Sequence, residues 1–139
     1  MKSTFSATRE NFRKMVDFII TGLTEQKFEK KLIGKIHLVV EEIILNIIQH
    51  AYPEGPGDVE IDYCFETRNE KVSSVTLTIS DWGVPFNPLT AASEPVMDVE
   101  VEERKVGGLG VFLVKNLVDE LSYEHKGNQN RLTLKTYCK

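Results

Sequence analysis

Residues 38–50 read LVVEEIILNIIQH, an aliphatic run interrupted only by Glu41, Glu42, Asn46, Gln49 and His50. On a helix advancing about 100° per residue, Asn46 falls about 40° from Glu42, His50 about 80° and Gln49 about −20°. These four side chains form one polar stripe, while isoleucine and leucine cover much of the remaining surface. A buried polar group left unpaired costs about 1–3 kcal/mol, and an unpaired charge more. The stripe should therefore face a cavity, a ligand or a metal, although a narrow solvated face reads the same way from the helix alone. Glu41, about 100° off the stripe, suits a surface or cap position.

This helix is expected from about Gln26 to His50, stopped by Pro53, Gly55, Pro56 and Gly57. Upstream, Phe12, Met15, Val16, Ile19, Ile20 and Leu23 recur at helical spacing, with Thr8 as N-cap and Glu10 in the first turn. Downstream the period changes to two. Val59, Ile61, Tyr63 and Phe65 alternate with polar residues in one strand, and Val75, Leu77 and Ile79 in a second, with a turn over 68–71. A long irregular stretch follows from Asp81 to Val106, acidic in its second half. Its segment 89–106 is expected to be a lid. Gly107-Gly108-Leu109-Gly110 then opens a third helix whose apolar face is Val111, Val114, Leu117, Val118 and Leu121. Residues 122–126 and 130–137 close the chain as a hairpin around Gly127-Asn128. The pattern predicts an α+β fold: a two-layer α/β sandwich with helices on one face of a mainly antiparallel mixed sheet.

With 139 residues the chain is expected to be a single domain over 1–139. Hydrophobic residues make up 41% and charged residues 27%, which suits a globular core and excludes disorder and collagen. With 17 Lys+Arg against 21 Asp+Glu, the net charge of −4 disfavours bulk nucleic-acid binding, which needs a basic face. Backbone amides or a metal could still hold an anionic ligand. Cys64 and Cys138 stand far apart, outside any paired motif, and His37, His50 and His125 lack metal-ligand spacing. No apolar run is long enough for a membrane span, and no signal peptide is read at the N-terminus. The expectation is a cytoplasmic protein with no direct contact to membrane or nucleic acid.

Two further features could carry chemistry. Asp81 ends a strand and is followed by Gly83, which would let a ligand approach the backbone; an Asx turn explains the same pair. Gly107, Gly108 and Gly110 precede a helix N-terminus, where free amides favour phosphate. They fit neither GxxxxGK[ST] nor a dinucleotide fingerprint, which needs glycine where Leu113 stands. Alone, this cluster reads equally as a lid hinge or a phosphate cradle.

Taken together, Glu42-x-x-x-Asn46-x-x-x-His50-Ala51-Tyr52, Asp81-x-Gly83-x-Pro85-Phe86 and Gly107-Gly108-Leu109-Gly110 resemble the Bergerat-type ATPase fold of gyrase B, the ninety-kilodalton heat-shock chaperones, MutL and histidine kinases. Within it the chain is most similar to anti-sigma-factor serine kinases of RsbW type, over roughly residues 5–137. The resemblance implies that Glu42 is the general base and that Asn46 ligates Mg²⁺ bridging the phosphates of ATP. It implies that Asp81 accepts from the adenine amine, that Gly83 keeps that pocket open, and that Thr133 sits beside the adenine. Gly107, Gly108 and Gly110 would cover the triphosphate, with His50, Pro85 and Leu109 completing the nucleotide contacts and Arg104 and Lys105 as further phosphate candidates. An arginine of the first helix, Arg9 or Arg13, would touch partner proteins.

The function this implies is ATP-dependent phosphorylation of a serine on a STAS-domain anti-sigma-factor antagonist, with sequestration of a sigma factor as a further role and a homodimer as the assembly. The alternative is a nucleotide-dependent interaction module of the same fold without phosphoryl transfer. Glu42 favours the kinase, since a pure binder has no need of a carboxylate beside the metal. A histidine-kinase catalytic domain is disfavoured: such domains usually lack that carboxylate, and the dimerising helix expected upstream is not read in this chain.

Overall fold

Thr8 sets the first helix. Its backbone is extended and its hydroxyl accepts from the Asn11 amide, capping α1, Arg9–Glu25, as its position in the sequence predicts. The computed structural model describes residues 1–85 and 117–138. Before α1 runs β1, Lys2–Ser6; after it come α2, Lys30–Asn46, a π-helical turn, Ile47–Ala51, and the strands β2, Asp58–Arg68, and β3, Lys71–Asp81. The hairpin of β4, Glu120–Lys126, and β5, Gln129–Tyr137, completes a five-stranded sheet in the order β1-β2-β3-β5-β4. Every pairing among the described residues is antiparallel. The fold is α+β, as expected.

One sheet face forms the core. Val59, Ile61 and Tyr63 of β2, Val75, Leu77 and Ile79 of β3, and Leu132 and Leu134 of β5 join Met15, Val16, Ile19 and Leu23 of α1 and Ile36, Val39, Val40 and Ile44 of α2 in a single buried cluster. Both helices thus pack on the same side of the sheet. Two hairpin turns use paired left-handed residues, Asn69-Glu70 (φ 52° and 66°) and Gly127-Asn128 (φ 59° and 66°). This geometry matches the right-handed twist of the flanking strands.

Three elements differ from the sequence reading. The strand β1 was not anticipated, because KSTFS carries one large apolar residue; it is held by pairing with β2 and by Phe5 packing edge-on against Phe18 at 5.8 Å. The second helix begins at Lys30 rather than Gln26. Lys27 turns left-handed at φ 57° so that Phe28 can enter the core, and Phe28 N bonds back to Leu23 O at 3.1 Å. That helix also ceases to be α-helical at Asn46, so the spacing of about 100° per residue does not reach Gln49 and His50. Leu121, assigned to the third helix, is a strand residue opposite Leu134. The rest of that helix before Leu117 and the lid at 89–106 lie outside the described residues. Among the described residues no helix is long and apolar enough to cross a membrane.

Candidate functional site

Helix α2 brings Glu42 and Asn46 together, both half-buried, with Asn46 Nδ2 3.5 Å from Glu42 Oε1. A carboxylate can only accept, so the amide nitrogen must be the atom facing it. Asn46 Oδ1, the atom able to bind a hard cation, takes no hydrogen bond from a described residue. Burial pushes the Glu42 carboxyl above the ordinary glutamate range, and the contact with Asn46 opposes that shift. Glu41 lies off this pair, half-buried like Glu42, and is 3.3 Å from His37 Nε2. Gln49 and His50 are exposed on the π-helical turn.

At the end of β3, Asp81 is 7% exposed, directly opposite Val59 on β2 and Asn130 on β5. Its Oδ1 accepts from Gly83 N and from Asn130 Nδ2, each at 2.9 Å. Burial pushes this carboxyl up, against the opposing pull of Asn130, of the Gly83 amide and of His125. The Asx turn weighed above is therefore present. It uses one carboxylate oxygen and leaves Oδ2 without a hydrogen bond from a described residue.

Gly83 has a role the sequence did not reveal. A Cβ there would collide with the carbonyl oxygen and other atoms of Ala51, so the space its missing side chain leaves is filled by the end of the π-helical turn rather than held open. Val84 N donates to Ala51 O at 2.8 Å. Beside it, Trp82 N donates to Tyr52 Oη at 2.8 Å while Tyr52 donates to Asp58 O at 2.6 Å. These bonds tie the strand-end turn bearing Asp81 to the C-terminal end of the helix bearing Glu42 and Asn46. The sequence placed the groups on separate elements; close backbone approach joins the elements.

Thr133 is not brought to this cluster. It pairs with Thr78, three residues before Asp81, and strand alternation puts it on the face opposite Asp81 and Asn130. The side chain beside Asp81 is Asn130, which the sequence reading passed over. Its signal was available: Asn130, Leu132 and Leu134 share one face of β5, so a polar residue occupies a core position. Pro85 is exposed at the edge of the described region, and Arg9 and Arg13 are exposed on α1. Gly107, Gly108, Leu109 and Gly110, with Arg104 and Lys105, lie outside the described residues.

No group of three or more His, Cys, Asp or Glu among the described residues could hold a metal unaided. Mg²⁺ that arrives with phosphates takes only one or two ligands from protein and completes its shell with phosphate and water oxygens. Asn46 Oδ1 is a suitable oxygen for that purpose, and the Glu42 carboxylate stands beside it.

Residues 5–136 match the family model of the histidine kinase-like ATPase domain. The serine/threonine-protein kinase BtrW of Bordetella bronchiseptica is 29% identical over 112 residues, covering 80% of this chain and 75% of that protein. The serine-protein kinase RsbW of Staphylococcus epidermidis is 33% identical over 94 residues, covering 65% of this chain and 57% of that protein, so the chain spans little more than half of its length. Among solved structures, a blue-light activated histidine kinase of Erythrobacter litoralis superposes with a TM-score of 0.54 at 22% identity, covering 76% of this chain and 30% of that one. The catalytic domain of histidine kinase ThkA gives a TM-score of 0.51 at 12% identity, covering 99% and 97%. At such identities the two structures share the fold with this chain.

Proposed function

The chain belongs to the histidine kinase-like ATPase domain family, and on that premise we propose that it binds ATP with Mg²⁺ and transfers the γ-phosphate to a serine of a STAS-domain anti-sigma-factor antagonist. The observation that carries this reading is the pairing of Glu42 and Asn46, one helical turn apart, on the helix whose end is bonded to the turn of Asp81. The names of the relatives, serine and serine/threonine kinases, support the choice of acceptor.

Each residue has a separate task. Asp81 Oδ2 accepts from the exocyclic amine of the base, and the burial of the carboxylate strengthens the contact. Asn46 offers Oδ1 to the cation. When bound, Mg²⁺ supplies charge neutralisation on the β- and γ-phosphates. Glu42 accepts the proton of the serine hydroxyl as its oxygen bonds to the γ-phosphorus; the bond from that phosphorus to the β–γ bridging oxygen breaks and ADP leaves. A carboxylate whose pKa is raised by burial is a better base than an exposed one. Catalysis is then mostly positioning and charge neutralisation. The segment 89–106 would act as a lid and Gly107, Gly108 and Gly110 as the phosphate cover, with His50, Pro85 and Leu109 nearby. Sequestration of a sigma factor, contact with partners through Arg9 or Arg13, a homodimer and a cytoplasmic location belong to the same proposal.

The test is incubation with Mg-ATP and a STAS-domain antagonist, read by intact mass. A serine-linked phosphate on the antagonist is the expected result. ATP binding with no mass change at any enzyme concentration would leave a nucleotide-dependent binding module instead.

A further inference from the structure

Asn130 sits at the centre of a hydrogen-bond cluster at the sheet's β3–β5–β4 corner. Its Nδ2 reaches Asp81 Oδ1 at 2.9 Å, Gly83 O at 3.1 Å and Val84 O at 3.3 Å. All three partners can only accept, which fixes the amide orientation. Its Oδ1 therefore faces Tyr123 Oη at 2.7 Å and His125 Nδ1 at 2.8 Å, and both must donate. His125 consequently carries a proton on Nδ1. The residue is 4% exposed, and both ends of its amide are engaged by the protein.

We propose that Asn130 is the positioning residue of the base-recognition site: it pins Asp81 through Oδ1, so that Oδ2 alone is presented to a purine amine. This rests on the nucleotide reading above and adds to it the source of base selectivity. A carboxylate with both oxygens free could rotate to meet either a donor or, when protonated, an acceptor on the base. The bonds that Oδ1 accepts from the Gly83 amide and Asn130 favour the ionised form, in which Oδ2 can only accept. The hairpin β4–β5 thereby controls selectivity through Tyr123 and His125, without either needing to touch the nucleotide.

The measurement is the ratio of ADP to IDP affinity, by calorimetry with Mg²⁺, in the full chain and its variants. IDP replaces the exocyclic amine with a carbonyl oxygen. Wild type should prefer ADP. Asn130→Ala should lower ADP affinity about tenfold or more, the usual scale for a hydrogen bond to a charged group, while IDP affinity changes little and the preference collapses. Tyr123→Phe and His125→Ala each remove one donor to Asn130 and should reduce the ratio less. A merely structural role would weaken both nucleotides together. An unchanged ratio in folded Asn130→Ala overturns the inference while leaving nucleotide binding intact; if that variant does not fold, an unchanged ratio in both Tyr123→Phe and His125→Ala does so. Wild type that binds neither nucleotide overturns the ATP reading itself, and this inference with it.

Discussion

Asn46 Nδ2 lies 3.5 Å from Glu42 Oε1, at the outer limit of a hydrogen bond, between side chains one turn apart on α2. A contact that long holds the two groups side by side without committing either. The Glu42 carboxylate keeps its second oxygen and the Asn46 amide keeps its carbonyl. Both can turn toward a third body without breaking a strong bond, as a base and a metal ligand must.

Asp81→Asn should separate recognition from stability. The folded chain holds a proton at Asp81 more tightly than the unfolded chain, whose value is near 3.8. Between that value and the raised one, stability falls as pH rises, and above it the burial penalty is complete. The asparagine variant lacks the penalty and still offers an oxygen to Asn130. It should melt at or above wild type at pH 7, with the difference closing as pH falls through the window, yet bind ADP far more weakly. Melting curves from pH 3 to 7 and calorimetry check both halves. Equal ADP affinity in the two proteins would remove Asp81 from the site.

Gly83→Ala should be costly for a reason of space, since Gly83 is not among the residues with positive φ. The obstacle is the Ala51 carbonyl, which is backbone and cannot swing aside. Making room would strain the bond from Val84 N to Ala51 O and shift the Asp81 turn. We expect a loss of about 1–3 kcal/mol, the usual range for overpacking, with weaker ADP binding. Denaturant unfolding that matches wild type would mean the turn relaxes freely.

Tyr52→Phe should loosen the same junction more gently. The hydroxyl takes a bond from Trp82 N and gives one to Asp58 O, joining the turn after β3 to the start of β2. Each bond is worth about 0.5–1.5 kcal/mol net, so the ring without its hydroxyl should cost about 1–3 kcal/mol. Hydrogen exchange should speed at the Trp82 amide. Unchanged protection there would contradict the assigned geometry.

What was legible in the sequence follows the range over which each signal acts. The stripe of Glu42 and Asn46, the Thr8 cap, the alternation of β2 and β3 and the Gly127-Asn128 hairpin are local, and each is where its pattern puts it. The strand β1 depends on a partner some 55 residues away, as in the pairing Phe5↔Val59. The turn at Lys27 answers to the burial of Phe28, and the π-helical winding after Asn46 breaks the α-helical spacing before Gln49 and His50. The resemblance puts Thr133 beside the adenine, whereas the β3–β5 register puts Asn130, not Thr133, beside Asp81. That register cannot be counted from one strand alone.

Glu42 and Asn46 make the decisive pair of variants, because their roles predict opposite failures. A general base must reach the attacking oxygen but need not touch the resting nucleotide. Glu42→Ala should leave ATP affinity within a few-fold and cut phosphoryl transfer by roughly 10²–10⁴, the usual worth of such a group. Removing a carboxylate whose pKa burial has raised should also not lower the melting temperature through lost charge. Asn46→Ala should instead weaken Mg-ATP binding, since it removes the oxygen that would hold the cation. Without Mg²⁺ that variant and wild type should bind nucleotide alike. If the two side chains served only to fill a half-buried stripe, both variants would lose stability, and whatever remained folded would turn over normally. Melting temperature, ADP affinity with and without Mg²⁺, and turnover on the same samples distinguish these cases. A folded Glu42→Ala protein that phosphorylates its partner at the wild-type rate would remove Glu42 as the base.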